Sequence, residues 1–282
     1  MMKGECGFLC TSLHFETDKF IFTEKTPQSE NYYKDILKKH DGFTHSYHPE
    51  SSIYNCPLNY NIEGDFISQE HIDFTVQCLG FLLGTKLVSK KFSYIGNTNI
   101  KPYHIGFINF NKEEYLLMVD KIINLYANNL NESNKIKIIE NAIFLLFLSE
   151  AKSFLFEKIF ILYSAIDSCY KYYEKNHPPT LYLLEYLCNK VSINTHKYNN
   201  TLIFIKDIRN DMIHEGTFLG NLFAHRGNRE EMDTYKKENI SIFLQDFLVR
   251  LIFSMLEIKV EGFLNPGSLD QTSLRLIHTN SL

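Results

Sequence analysis

"HKYNNTLIFIKDIRNDMIHEG", residues 196–216, decides how this chain is read. Leu202, Ile205, Ile208 and Met212 recur three and four positions apart, the spacing of one apolar helix face. That stripe predicts a helix packed into a bundle and closed by Gly216, a residue suited to the turn after a C-terminal cap. Arg209 falls at the edge of the stripe, which predicts a half-buried guanidinium. Asn210 and His214 are four apart and share a face of an α-helix. Arg209 and His214 lie about 7.5 Å apart along the axis, so their side chains can converge.

Two readings of this helix end stand side by side. Helices favour Lys, Arg and His in the last turn, where unpaired carbonyls and the negative end of the dipole sit, so the residues can simply close a helix. Chance gives an Arg and a His at such a spacing in about one of two chains of this composition. The chemical reading starts from the same geometry. A helix C-terminus helps keep His214 protonated near neutrality, its unperturbed pKa being about 6.5. A guanidinium fork grips two phosphate oxygens at once.

Around this stretch the pattern is helical from residue 112 onward. Strong 3.6-residue periodicity runs through "KEEYLLMVDKIINLYANNL", "NKIKIIENAIFLLFLSEA" and "FLFEKIFILYSAIDSCYKYYEK", the last apolar on more than one face and therefore expected to be central. "HPP" at 177–179 ends it. "TLYLLEYLCNKV" and "ENISIFLQDFLVRLIFSMLEI" complete a bundle of about five helices, with a polar segment at 217–238. The first 110 residues are mixed. Residues 8–24 alternate like a hairpin or two short strands, 40–65 read mostly as loop, Ser68 caps a helix with Ile72, Val76, Leu79, Leu82 and Leu83 on one face, and 90–110 are β-like. The expected class is α+β, mainly α: residues 1–110 a mixed region of unknown role, 111–262 a helical domain, 263–282 a loosely ordered tail.

The bulk numbers narrow the function classes. The chain has 282 residues, 44% hydrophobic and 22% charged, with a net charge of −4. No global field draws it to nucleic acid or membranes, so an RNA site has to be a local patch. The greasiest stretch, 142–163, carries Glu150, Lys152, Glu157 and Lys158, and reads as buried helix rather than a membrane span. The N-terminus lacks the apolar core of a signal peptide, and the six scattered cysteines lack zinc spacing. Free thiols, a cytoplasmic location, no membrane, no metal and no cofactor are the expectations. Only five basic residues are Arg, and all lie in the last third, which marks Arg209 as a place where a planar, always-charged donor is wanted.

"RNDMIH" resembles the Arg-polar-x3-His motif of the HEPN superfamily (higher eukaryotes and prokaryotes nucleotide-binding). "FEKIFILYSAIDSCYKY", the short helix after Pro179 and "IKDIRNDMIHEG" are similar to its Apea-like branch, found in bacterial anti-phage and toxin proteins, over residues 112–260. The resemblance implies a HEPN-like helical bundle that forms a homodimer and cleaves RNA without metal, with Arg209, Asn210 and His214 catalytic. His214 would be acid or base, Arg209 would hold the phosphate, and Asn210 would orient the phosphate or the partner's histidine. Asp167, on the helix facing the motif, would pair with Arg209 or serve as a local polar residue. The implied role is a toxin or anti-phage effector with RNA as substrate and a defence-system or antitoxin protein as partner. The alternative is a non-catalytic HEPN scaffold or regulatory subunit.

Three weaker clusters stand apart from the motif. His225, Arg226 and Arg229 could grip RNA from the polar segment, although a solvated loop accounts for them better. "KLVSKK" at 86–91 is a small basic patch. His40, His45 and His48 lack the carboxylate or thiolate partners of a metal site.

Overall fold

Side chains that alternate in and out build a sheet from the N-terminal segments. The computed structural model describes residues 1–7, 13–25, 58–84, 86–89, 112–150, 152, 155–176, 178–215, 217–218, 221–222, 234–261 and 275–276. Strands β1 (Met2–Cys6), β2 (Phe15–Glu16), β3 (Phe20–Glu24) and β4 (Tyr60–Gly64) form an antiparallel sheet in the order β1-β4-β3-β2. Phe20, Phe22, Tyr60 and Ile62 are fully buried on its inner face, with the Phe22 and Tyr60 rings stacked 4.5 Å apart. The pairing of β2 with β3 lies within the expected hairpin at 8–24. The reading of 40–65 as loop is corrected for β4. Its two inward residues, Tyr60 and Ile62, alternate with Asn61 and Glu63, and the polar residues around them hid a five-residue strand. Residues 40–57 and the β-like stretch 90–110 lie outside the described residues.

Helix α1 (Gln69–Leu83) packs on this sheet. Ser68 caps it as expected, its Oγ accepting from the His71 N–H at 3.2 Å. Gly84 ends it at φ 67°, a left-handed conformation that a side chain would strain. More than the predicted face is buried: Phe74, Cys78 and Phe81 join the core, because α1 has the sheet on one side and helices on the other.

Six helices follow: α2 (Lys112–Asn128), α3 (Ser133–Glu150), α4 (Leu155–Tyr173), α5 (Thr180–Lys190), α6 (Thr195–Asn210) and α7 (Thr234–Met255). The most enclosed is α7, not α4. From Ile240 to Phe253 only Ile242 is exposed, and α3, α4 and α5 pack against it. α4 is buried along Ile159, Leu162, Ile166 and Cys169 but keeps an outer face where Phe160 is 44% exposed. The short ladders β5 (Thr217–Phe218) with β6 (Asn221–Leu222), and β7 (Val260–Glu261) with β8 (Arg275–Leu276), are antiparallel. β8 lies within the segment read as a tail, of which 263–274 and 277–282 lie outside the described residues. The chain is thus mainly helical with a small antiparallel sheet, and one apolar core runs from Cys6 to Ile258.

Within that core α7 carries an ion pair. Arg250 Nε donates to Asp246 Oδ2 at 2.9 Å, with Asp246 1% and Arg250 7% exposed. The other oxygen, Asp246 Oδ1, is buried with no hydrogen-bond partner among the described residues. Burial pushes the Asp246 carboxyl up to about 6, although Arg250 pulls it down. A carboxyl raised on folding adds stability below its unfolded value of about 4 and loses it as pH rises through about 6. Urea denaturation is therefore expected to show a stability contribution that falls from pH 4 to pH 7, with the slope reduced in the paired variant Asp246→Leu/Arg250→Met. Asp246→Ala alone is expected to cost about 3 kcal/mol or more, because it strips a buried guanidinium of this carboxylate.

Candidate active site

The end of α6 departs from a plain α-helix. Asn194 starts the helix, its side chain accepting from the Lys197 N–H at 3.1 Å. Tyr198, Leu202, Ile205 and Ile208 bury its inner stripe, and Met212 continues it. After Asn210 the backbone widens into a π-helical turn, Asp211–Glu215, whose hydrogen bonds reach five residues instead of four. In an α-helix, positions five apart lie about 140° apart around the axis. A wider turn narrows that angle for Arg209 and His214 and leaves Asn210 and His214, close to one turn apart, on a shared side. The backbone of His214 lies in the π turn; its side chain, Gly216 and the cluster His225, Arg226 and Arg229 lie outside the described residues.

Arg209 is half-buried, as its position at the stripe's edge predicts. Its Nη1 donates to Asn210 Oδ1 at 3.1 Å. Asn210 therefore holds the guanidinium directly, a positioning contact that the expected role of orienting a phosphate did not include. Arg209, Ile205, Ile208 and Met212 border a gap of about 10 Å³ against Ile159, Phe160 and Tyr163 of α4.

Tyr163 joins this group to Asp167. The guanidinium of Arg209 donates to the phenol, and the Thr180 side chain at the start of α5 hydrogen-bonds it too. The Tyr163 hydroxyl in turn donates to Asp167 Oδ1 at 3.5 Å. Asp167 and Arg209 thus meet at a shared tyrosine, at the junction of three helices. Burial and the Asp167 charge raise the Tyr163 phenol above its ordinary value, while Thr180 and Arg209 pull it down. The phenol stays protonated at neutral pH, so it can accept from the cation and donate to the carboxylate at once. Sequence reasoning missed Tyr163. Its signal was the i, i+4 spacing to Asp167 on one face of α4.

Beside this group the surface is apolar. A groove of about 330 Å³ runs along α4, lined by Phe156, Phe160, Ile161 and Met212 with Lys152 and Glu157 at its edge. Phe160 and Met212 belong to both the groove and the Arg209 gap, and Ile213 in the π turn is 46% exposed. Among the described residues no group of His, Cys, Asp or Glu could hold a metal ion, and no helix is long and apolar enough to cross a membrane. His40, His45 and His48 lie outside them. Cys6, Cys78, Cys169 and Cys188 are free and buried, and burial pushes their thiols up, that of Cys188 to about 12, so they are poor nucleophiles.

The Arg209–Tyr163 link has a direct measure. In a double-mutant cycle of Tyr163→Phe and Arg209→Met, read by urea denaturation, a coupling of about 1–2 kcal/mol is expected for a hydrogen bond to a charged group. Additive costs would mean that the phenol does not hold the guanidinium.

Compared with protein-family models, curated proteins and solved structures, the chain matches none.

Proposed function

We propose that the chain is a metal-independent endoribonuclease of HEPN type, working as a homodimer in a toxin or anti-phage role. One observation carries the reading. An arginine held by Asn210 and Tyr163 sits at the last α-helical turn, and the chain passes directly from it into a π turn bearing His214. π turns inside helices occur often at functional sites.

The chemistry asks for a base on the 2′-hydroxyl, an acid on the leaving 5′-oxygen and cations around the phosphorane. One chain offers one Arg209 and one His214; two chains facing each other offer both pairs. One His214 takes the 2′-hydroxyl proton as that oxygen attacks phosphorus. The other protonates the 5′-oxygen as its bond to phosphorus breaks. The products are a 2′,3′-cyclic phosphate and a 5′-hydroxyl. Arg209 holds the phosphate oxygens, Asn210 and Tyr163 hold Arg209, and Asp167 orients the phenol. The exposed Phe160 and Ile213 beside Arg209 support an interface there, since apolar surface next to a cleft suits a second subunit.

Cleavage of total RNA in EDTA by wild type, Arg209→Ala and His214→Ala tests the reading. Wild type is expected to leave cyclic phosphate ends, and each variant to lose at least about 100-fold in rate. No cleavage, or equal cleavage by all three folded proteins, would leave the motif a helix terminus and favour the scaffold alternative. A second test reads the dimer. Phe160→Glu is expected to shift the light-scattering mass from two chains to one and to abolish cleavage, while the fold survives because Phe160 is half exposed. An unchanged mass would move the interface elsewhere.

A further inference from the structure

The seam between α4 and α5 carries a group of tyrosines that the Arg209 site does not use. Tyr163, Asp167 and Tyr170 recur at i, i+4 and i+7, which is one face of α4. Tyr170 therefore lies about 10 Å along the helix axis from the phenol that meets Arg209. Its ring meets that of Tyr186 on α5 edge-on, with 5.2 Å between centroids. Tyr173, in the last turn of α4, meets the same ring at 6.5 Å. Just past α4, Glu174 Oε1 accepts from the Tyr186 hydroxyl at 2.8 Å. Tyr186 is thus braced from the α4 side, and a ring already held in place loses little freedom when a ligand arrives.

Along α5 the same tyrosine has a neighbour one turn to each side. Tyr182, Tyr186 and Lys190 are four apart and share a face. The Tyr182 ring is inclined 27° to that of Tyr186, with 6.5 Å between centroids, and Tyr182 is 57% exposed. The Lys190 ammonium stands 4.9 Å from the centre of the Tyr186 ring and 5.4 Å from that of Tyr173. Two cation–π contacts hold that ammonium without neutralising it. Lys190 forms no ion pair among the described residues. Glu174 is engaged at the Tyr186 hydroxyl, on the rim of the ring, whereas the ammonium lies over the ring. An open aromatic side chain and an uncancelled positive charge therefore border one fixed tyrosine.

That pairing limits the ligand. A cationic molecule would be repelled by Lys190, and a simple anion would leave Tyr182 unused. A planar base stacks on an exposed tyrosine, and the phosphate it carries through its sugar wants a cation nearby. A duplex keeps its base faces stacked inside, so the strand has to be single.

We propose that Tyr182, Tyr186 and Lys190 form a platform for single-stranded RNA, with a base stacked on Tyr182 and its phosphate on Lys190. The choice of RNA rests on the ribonuclease reading. The stripe from Tyr163 to Tyr170 leads from Arg209 to the platform, so the strand held here is the one presented to Arg209.

Fluorescence anisotropy of the full chain with a labelled 2′-O-methyl dodecauridylate tests it. The probe lacks the 2′-hydroxyl nucleophile, so binding is read without cleavage. Saturable binding is expected, and at least about tenfold weaker binding once the strand is paired with 2′-O-methyl dodecaadenylate. Tyr182→Ala should weaken binding at least about fivefold, while Tyr182→Phe keeps the stacking face and retains it. Lys190→Gln should weaken binding and lower the slope of log K against log salt by about 0.7, the share of one phosphate contact on a single strand. Lys190→Arg should restore both. Tyr182 and Lys190 are exposed, so these variants remove no core contact. Binding that depends on Tyr182, with no cleavage of natural RNA, supports the platform and removes the ribonuclease reading. No saturable binding, equal binding of strand and duplex, or binding indifferent to Tyr182→Ala overturns the platform, whether or not RNA is cleaved.

Discussion

A helix with almost no wet side has to be surrounded, and α7 imposes that requirement on the chain. Its buried run from Ile240 to Phe253 presents apolar side chains in nearly every direction. α3, α4 and α5 pack directly on it, and α1 reaches it where the Phe81 and Phe253 rings lie 5.0 Å apart. Two tyrosines fix how α4 sits along α7. Tyr172 Oη donates to the Met255 carbonyl at 3.1 Å, and Tyr173 Oη bonds Ser254 Oγ at 2.9 Å. Because the inner face of α4 is used up on α3 and α7, its remaining polar stripe turns to α5 and α6. Tyr163 and Asp167 lie on that stripe. The register set at Tyr172 and Tyr173 thus decides where the phenol meets Arg209.

Placing a guanidinium at the edge of a core is costly unless its donors are matched. Asn210 and Tyr163 supply acceptors from two different helices, so the cation is held by tertiary structure rather than by local helix geometry alone. A residue that only capped carbonyls at a helix end would not need the second contact. Asp246 and Arg250 show the other way this chain handles buried charge, a pair one turn apart within a single helix. That arrangement holds itself and leaves little for a ligand. The Arg209 group instead lies beside a groove.

The legible parts of the fold were those where one periodicity covers many residues. The stripe Leu202–Ile205–Ile208–Met212 and the apolar faces of α2 to α5 needed no tertiary information. Ser68 was legible because a serine hydroxyl directly before an apolar repeat supplies the acceptor that the first free N–H groups of a helix require. β4 was not, because two inward residues are too few to stand out in a polar stretch. The enclosure of α7 was partly hidden by Ser241, Gln245, Asp246 and Arg250, polar residues that read as a wet face and are buried. Of the candidate site, the half-burial of Arg209 follows from its angle on the helix. The bridging by Tyr163 depends on which helix lies opposite, and no single-helix pattern contains that.

The π turn was the least legible feature and has the largest consequence for the motif. Backbone hydrogen-bond register leaves no mark on hydrophobic spacing, since Met212 stays buried as an α-helix would also place it. Yet the extra residue in the turn changes which positions share a side. In a continuous α-helix Asn210 and His214 would lie together and Arg209 would stand apart. With the wider turn Arg209 comes round toward that shared side while Asn210 stays on it. A motif spacing of four intervening residues is therefore read together with this local backbone, because a helix that ran on regularly would hold the same two residues farther apart around the axis.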